Sequence, residues 1–234
     1  MIKEYLVTYP LLLIFLTLFI YVIGLALYRW GNKTVFLLPV VSGIAMTIGS
    51  LVYLDIDYLR YFESVKIIHF LLGTATVALA VPLRNNFHLI REHAFPLTIS
   101  LAIFSVLTPS LAVLSAWVFG AEKGVLLSLA PKSISTPFAI AVAESIGGYP
   151  PLVAAIVIIT GAIVAIVAST VFKVFSIQHP IAQGFSMGMT GHGIATATAF
   201  EMSITVGTFS ALAMGLMGLS TSICLPYLVN WLFL

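Results

Sequence analysis

The first strong constraint on this chain is an uninterrupted apolar run, Leu11 to Tyr28, about 18 residues long and without a charged side chain. A helix rises about 1.5 Å per residue, so a run of this length crosses most of a hydrocarbon core about 30 Å thick. It is too long for the apolar part of a cleavable signal, and no small-residue cleavage pattern follows before Arg29 and Lys33. The run therefore predicts a membrane-spanning helix.

The rest of the chain has the same character. Hydrophobic residues make up 61% of the 234 positions and charged residues only 8%, against roughly 25% charged residues in soluble domains. The net charge of +2 gives no basis for binding nucleic acid. The pattern predicts an all-α polytopic membrane protein, a single integral membrane domain over residues 1–234, with about eight hydrophobic segments near 11–28, 34–54, 65–83, 94–119, 123–145, 150–172, 180–202 and 205–233.

Three of these segments are not typical straight helices. The stretch from Leu71 to Leu83 is rich in small residues and contains Pro82, and a second stretch carries Lys132 between two prolines. The third, Gln183 to Glu201, holds four glycines and a histidine in an apolar context. Glycine at this density favours a turn or a close backbone approach. We therefore expect broken or re-entrant helices in all three.

Internal similarity raises the possibility of two repeated halves. Residues 75–81 line up with residues 136–142, and residues 74–76 also echo residues 196–198. Interrupted segments at corresponding places in two halves mark the binding site in many transporters. Alanine-rich membrane sequence also produces such matches by chance, so the pairing stays open.

Lys132 is the residue that most strongly suggests a function. A charge at membrane depth costs roughly 2.5–3.5 kcal/mol on insertion scales, and irregular backbone there is tolerated where it lines a cavity or is covered by protein. One interpretation places Lys132 on a substrate path. The other pairs it with Glu144 or Glu201 to hold two helices together. His192 likewise either faces a path or packs against a backbone carbonyl.

The segments Leu129-Ala-Pro-Lys-Ser-Ile-Ser-Thr-Pro137, Leu71 to Leu83 and Gly191-His-Gly-Ile-Ala-Thr-Ala197 resemble the characteristic segments of the LrgB/CidB family, and the resemblance extends over the whole chain. Thr74 stands where that family often has proline, and Gly191 stands where serine is common before the histidine. The resemblance implies one of two functions. Some members are implicated in moving small monocarboxylates such as pyruvate, glycolate or glycerate, and others are antiholin-like regulators of murein hydrolases and cell lysis, or holin-like pore components.

The physical argument favours transport, because a lytic pore needs an amphipathic wall or a large lumen and does not need a buried lysine beside prolines. A small carboxylate needs a countercharge and hydrogen-bond donors, which broken helices supply at their positive ends. We expect the coupling role at Lys132, Glu144 or His192, and a substrate site formed by Lys132, Ser133, Ser135, Thr136, Thr190, Gly191, His192, Gly193, Thr196, Thr198, Thr74 and Thr76.

The resemblance further implies a location in the plasma (inner) membrane, a smaller LrgA/CidA-like membrane partner and an elevator-like movement of a core bundle against a scaffold. A homodimer is a further expectation, and no cofactor or metal is expected. Enzymatic activity is not expected either: Gly184-Phe-Ser-Met-Gly188 matches a hydrolase pattern but lacks its strand-turn-helix context. We interpret these residues as a helix contact, and assign the same role to Gly43 and Gly49.

Overall fold

The computed structural model describes residues 10–31, 34 and 37–233, and every regular element in that part of the chain is helical. The chain divides into two compact units, Met1–Ala80 and Val81–Leu234. The helices are α1 Pro10–Trp30, α2 Pro39–Leu54, α3 Tyr58–Ser64, α4 Lys66–Ala78, α5 Ala80–Asn85, α6 Phe87–Glu92, α7 Ala94–Val118, α8 Lys123–Leu129, α9 Thr136–Ile146, α10 Pro150–Val174, α11 Pro180–Met202 and α12 Ile204–Phe233.

Four of the described helices are long and apolar enough to cross a membrane: α1, α7, α10 and the Ile204–Val229 part of α12. The pair α2 and α3, bent by 118°, would be a fifth if it forms one span. The expectation of an all-helical membrane protein with several spans is confirmed. The count of eight segments, the two repeated halves and the single domain stay predictions.

The first unit is built around α1 and α2. Gly24 of α1 lets the two helices approach, since a Cβ there would lie 2.9 Å from Ser42 Oγ and 3.3 Å from the Pro39 carbonyl oxygen. Gly43 and Gly49, which we expected at a helix contact, have nothing within 4 Å of the place where a Cβ would stand. The glycine that makes the contact in this unit therefore lies on the other helix.

Helix α10 organises the second unit. Its buried residues recur every four positions and so form one stripe along the helix; they include Val153, Val157, Gly161 and Ala165. The helix has 25 residues, a length of about 37 Å. Two segments beside it fold back on themselves: residues 122–149, here called the first hairpin, and residues 180–202, the second hairpin.

The second hairpin reverses at His192, whose φ of 41° and ψ of −133° lie outside the helical region. A Cβ at Gly184 would overlap the backbone of Val206, and a Cβ at Gly207 would overlap the ring of Phe200. Residues 184 and 200 of α11 thus touch neighbouring residues of α12, although a straight helix would separate them by about 24 Å. The segment is therefore two antiparallel arms, 180–191 and 193–202.

Small residues hold the arms of the second hairpin against α12. A Cβ at Gly188 would overlap the carbonyl oxygen of Ser210, and the hydroxyl of Ser210 lies 2.9 Å from that of Thr196 in the opposite arm. Gln183 and Met202, near the two ends of the second hairpin, line the same groove of about 510 Å³, so the two ends lie close together. The expected glycine contact at residues 184 and 188 is confirmed.

The first hairpin also returns to its starting point. The backbone N–H of Tyr149, which follows α9, donates a 2.7 Å hydrogen bond to Oγ of Ser128 in α8. The Tyr149 hydroxyl donates to Glu122 Oε1 at 3.2 Å, and Gly124 leaves room for the tyrosine ring, which a Cβ there would overlap. The two ends of the first hairpin therefore lie next to each other.

The tip of the first hairpin is wider than that of the second. After α8, the N–H of Lys132 bonds the carbonyl of Leu129 at 3.1 Å and the N–H of Ile134 bonds that of Pro131 at 3.3 Å. These i to i+3 bonds are the tighter turns that follow when proline removes a helical donor. Ser135 is extended, at φ −65° and ψ 149°, and the chain reverses there before α9 begins.

The two hairpins open at opposite ends of α10. The base of the first contacts Tyr149, immediately before α10, whereas the base of the second lines a groove with Lys173 and Ile177, at the other end. Two helical hairpins thus approach each other from the two ends of α10, which is long and apolar enough to cross a membrane. The third interrupted segment is broken between Ala78 and Ala80, where α4 ends and α5 begins.

Candidate functional site

The tips of the two hairpins meet near the middle of α10. Nε2 of His192 donates a 2.9 Å hydrogen bond to the carbonyl of Val157, and Val157 shares a core cluster with Ile134 of the first hairpin. Lys132 lies close enough to His192 for its charge to reach the imidazole, although no hydrogen bond joins the two side chains among the described residues. The structure therefore brings together the lysine and the histidine that the sequence analysis selected separately.

Gly161 creates the place where the His192 ring lies. A Cβ at this position would lie 2.7 Å from Cε1 and 3.0 Å from Nε2 of the imidazole. Because Gly161 follows Val157 by one helical turn, it exposes that carbonyl to a second donor besides its own helical one. His192 is 4% exposed, so its hydrogen bond lies in a region of low dielectric, where a lost partner is costly.

Lys132 is less buried than His192. Its side chain is half-buried, and within the described residues its Nζ makes one hydrogen bond, to the hydroxyl of Ser133 at 3.2 Å. No carboxylate of the described residues forms an ion pair with it. The pairing with Glu144 or Glu201 is therefore not formed, and none of the described carboxylates neutralises the charge at the hairpin tip.

Helix α9 contributes free donors next to this charge. Ser135 occupies the N-cap position but makes no side-chain capping bond, and Pro137 follows in the first turn. The first N–H groups of a helix have no partner within it, and they carry the positive end of the helix dipole. Thr136 is half-buried at the same place. The tip thus combines one full positive charge, a partial one and several hydroxyls.

The predicted residues of the second hairpin are mostly engaged within the protein. Thr196 donates to the His192 carbonyl at 2.7 Å and contacts Ser210. The hydroxyls of Thr190 and Thr198 bond carbonyls one turn back in their own arms. None of these three hydroxyls bonds a residue of the lysine segment in the described part of the chain, and their role in binding a substrate stays a prediction. Such back-bonding is common for hydroxyls in membrane helices.

The two glycines that flank His192 have different surroundings. A Cβ at Gly191 would overlap Ala195 and lie 2.7 Å from Val164. Gly193 is exposed, and its nearest neighbour would be Met214 Sδ at 3.9 Å. Gly191 therefore permits the tight reversal, whereas Gly193 leaves the start of the second arm uncovered.

Three further predicted residues lie away from the tips. Glu144 is exposed in the last turn of α9, near the base of the first hairpin, so the structure does not place it with Lys132 as a coupling residue. Thr74 belongs to the first unit, where it is exposed and bonds the Leu71 carbonyl at 2.7 Å. The side chain of Thr76 lies outside the described residues.

Sequence reasoning missed Gly161 and Ser210, which position the second hairpin. The available signal for Gly161 was an isolated glycine within an otherwise clean apolar span, which usually has a packing reason. Ser210 carried no comparable signal. In the described part of the chain no group of three or more histidine, cysteine, aspartate or glutamate side chains is arranged to hold a metal ion.

These features define a helical membrane protein with two helical hairpins whose tips meet beside α10. The chain belongs to the LrgB-like family, whose model matches residues 17–231. It is 30% identical over 220 residues to YwbG of Bacillus subtilis (strain 168), covering 94% of this chain and 97% of that protein. YxaC of the same strain is 31% identical over 223 residues, 95% of this chain and 96% of the relative. The antiholin-like protein LrgB of Bacillus mycoides (strain KBAB4) is 26% identical over 213 residues, 91% and 93% of the two chains. No solved structure matches the chain significantly.

Proposed function

We propose that this protein carries small monocarboxylates, such as pyruvate, glycolate or glycerate, across the plasma membrane and binds them where the two hairpin tips meet. The observation that supports this most directly is Lys132, a positive charge with no carboxylate partner in the described residues. Unpaired charge at this depth is unfavourable. A bound carboxylate would supply the missing countercharge.

The surrounding groups fit a small anion. The uncapped start of α9 and the hydroxyls of Ser133 and Thr136 offer donors beside the ammonium. Charge-assisted hydrogen bonds from such donors are worth roughly twice a neutral one. His192, held at the opposite tip, is the candidate for carrying a proton, since imidazoles titrate near physiological pH.

The hairpins also suggest how access would alternate. They open at opposite ends of α10, so movement of one tip or the other would expose the site to one membrane face at a time. An elevator-like movement of a core bundle, which the family resemblance implies, would instead carry the closed site across. Both routes require the carboxylate to be held at the tips.

Uptake by reconstituted protein tests the proposal. Liposomes containing the protein, with and without an LrgA-like partner, are supplied with labelled pyruvate, glycolate or glycerate. We expect saturable uptake, reduced roughly 50-fold in Lys132→Ala, because a charge-assisted hydrogen bond is worth about 1.5–3 kcal/mol and each 1.4 kcal/mol is about tenfold. Lys66→Ala is the matched control, since Lys66 is exposed and pairs with Glu63 at 3.3 Å.

The names of several relatives support a second candidate, control of murein hydrolases and cell lysis as an antiholin-like protein. A regulator of this kind, or a holin-like pore, does not need the charge of Lys132. It predicts that lysis phenotypes persist in Lys132→Ala and that liposomes leak large dyes. Absence of uptake under every condition, with dye leakage insensitive to Lys132, would refute transport and leave this second function.

A further inference from the structure

Helix α12 carries a stripe of residues that passes both hairpin tips. Ser210 contacts Thr196, in the second arm of the second hairpin, at 2.9 Å. One turn further along α12, Sδ of Met214 lies 3.9 Å from the place where a Cβ at Gly193, the first residue after the tip, would stand. Residues 210, 214 and 218 are four apart and share one face of the helix. The stripe therefore continues past the second hairpin to Gly218.

Beyond the second tip, the stripe meets the first hairpin. A Cβ at Gly218 would lie 3.1 Å from Cδ2 and 3.3 Å from Cε2 of Phe138, so the glycine leaves room for the ring against α12. Phe138 lies in the first turn of α9. Met214 and Gly218, one turn apart, therefore lie beside the two tips, and α12 borders the space between them.

Phe138 also links this side of the site to its polar end. The N–H of Ala139 donates to the Ser135 carbonyl at 2.9 Å, and the N–H groups of the turn before it have no partner within the helix. Pro137 has no N–H, so the free donors of that turn belong to Thr136 and Phe138. The residue whose ring packs on α12 thus offers a backbone donor at the tip that carries the lysine.

The α12 side of the tips is apolar and partly open. Gly193 is exposed, and among the described residues Sδ of Met214 is the one atom within 4 Å of the place where its Cβ would stand. Phe138 is 40% exposed and Met214 is half-buried. The hydroxyls of Thr190 and Thr196 are bonded within the protein. A ligand that reaches this side therefore meets a thioether and an aromatic ring.

We propose that Met214 and Phe138 hold the carbon end of the substrate and set its length, a role here called the length filter. This inference rests on the proposed function, because it requires the carboxylate to bind at Lys132 and the free donors of α9. With the charged end fixed there, the carbon chain extends toward α12, and the thioether limits how far it reaches. The site then takes monocarboxylates with a short carbon chain, since a second carboxylate would be buried there without a partner.

Binding of a series of unbranched carboxylates tests the length filter. The thermal midpoint of the purified protein is measured against the concentration of acetate, propionate, butyrate and pentanoate at fixed pH and ionic strength, since a ligand that binds the folded state raises the midpoint. In the wild type we expect the highest affinity for the shortest chains. Met214→Ala makes room for about two more methylenes, so its affinity for pentanoate should rise roughly 15-fold, at about fourfold for each buried methylene.

Two control variants separate the length filter from general stability. Leu219→Ala removes a similar apolar volume from a position of α12 that is 55% exposed, and should leave the preference for short chains unchanged. Met214→Leu keeps most of the volume and should retain the wild-type preference. An unchanged preference in Met214→Ala would overturn the inference, and so would an equal gain for pentanoate in Leu219→Ala.

Uptake into liposomes distinguishes failure of this inference from failure of the proposed function. Binding whose length preference changes in Met214→Ala, without any uptake, would retain the length filter and reject transport. Saturable pyruvate uptake, with a length preference that is the same in Met214→Ala, would retain transport and reject the length filter. Absence of both binding and uptake would overturn both.

Discussion

The two hairpins have similar lengths, but their tips differ in width and in how their polar groups are bonded. The first turns over the six residues 130–135, with prolines at positions 131 and 137. The second turns at the single residue His192, and its arms and α12 touch through glycine and alanine. At the wide tip, Lys132 has no carboxylate partner among the described residues and the start of α9 has no side-chain cap. At the tight tip, His192 bonds the Val157 carbonyl and Thr196 bonds the His192 carbonyl.

Because of this difference, we expect the two hairpins to play different roles at the site. Groups already engaged in internal hydrogen bonds contribute little to a ligand, because each would first have to break an existing bond. The first hairpin therefore offers the binding groups. The second forms a fixed wall, and His192 is its one titratable group at the tip. Substitutions that loosen the tight hairpin should cost more stability than substitutions at the wide tip.

The largest effect is expected at the tight contact between the second hairpin and α12. Gly188→Val places a branched side chain where even a Cβ would overlap the Ser210 carbonyl. Overpacking of this kind costs about 3 kcal/mol, so the thermal midpoint in detergent should fall by many degrees. Gly193→Ala is the matched control in the same hairpin, because its nearest neighbour would be 3.9 Å away. Equal loss in both variants would contradict the tight packing.

A smaller loss is expected where the second hairpin meets α10. Gly161→Ala pushes a methyl group against the His192 imidazole and away from the Val157 carbonyl. The displaced ring loses a buried hydrogen bond, at a cost of about 2 kcal/mol. In a His192→Ala background the same change should cost clearly less, since the ring is gone and the remaining close neighbour is Ile194 Cβ at 3.1 Å. A double-mutant cycle of unfolding free energies measures the coupling, and additive costs would disprove the contact.

The sequence predicted the unusual segments well because their signals are local. Proline beside lysine and repeated glycine both disfavour a straight helix wherever they occur. The sequence did not show whether each segment folds back as a hairpin or continues as a kinked helix, because both structures favour the same residue types. Only contacts between residues far apart, such as Gly184 with Val206, decide between them.

The partners of individual polar groups were predicted less well. The sequence analysis assigns Thr190, Thr196 and Thr198 of the second hairpin to a substrate, but Thr196 bonds Ser210 and the carbonyl of His192. Hydroxyls bond nearby carbonyls unless packing prevents it, and a sequence does not show which carbonyls are free. The buried hydroxyls of Thr221 and Ser222, which no motif marked, remain without a partner among the described residues.

A third prediction concerns the wide tip. Lys132→Met keeps the length of the side chain and removes an unpaired, half-buried charge. We expect the unfolding free energy to stay constant or to rise by about 1 kcal/mol, because neutralising a desolvated charge removes its penalty. Lys66→Met, which breaks an exposed ion pair, should change stability by less. A clear loss of stability in Lys132→Met would show that the charge has a structural partner, and would weaken its assignment to a substrate.

The smallest effect is expected at the base of the first hairpin, where the Tyr149 hydroxyl donates to Glu122. The negative charge of Glu122, then this hydrogen bond and partial burial, raise the pKa of Tyr149 above its ordinary value of 10.0. A raised pKa means that the folded state favours the neutral phenol. The stability that this hydrogen bond contributes is therefore complete below pH 10 and is lost as the pH rises through the folded-state pKa.

Tyr149→Phe should unfold at a slightly lower temperature than the wild type at neutral pH. The gap between the two midpoints should close or reverse in strongly alkaline buffer, where two negative charges would face each other. Thermal midpoints of both proteins across this range measure the gap. A gap that stays constant with pH would mean that the tyrosine ring packed on Gly124, and not the hydrogen bond, keeps the base of the hairpin closed.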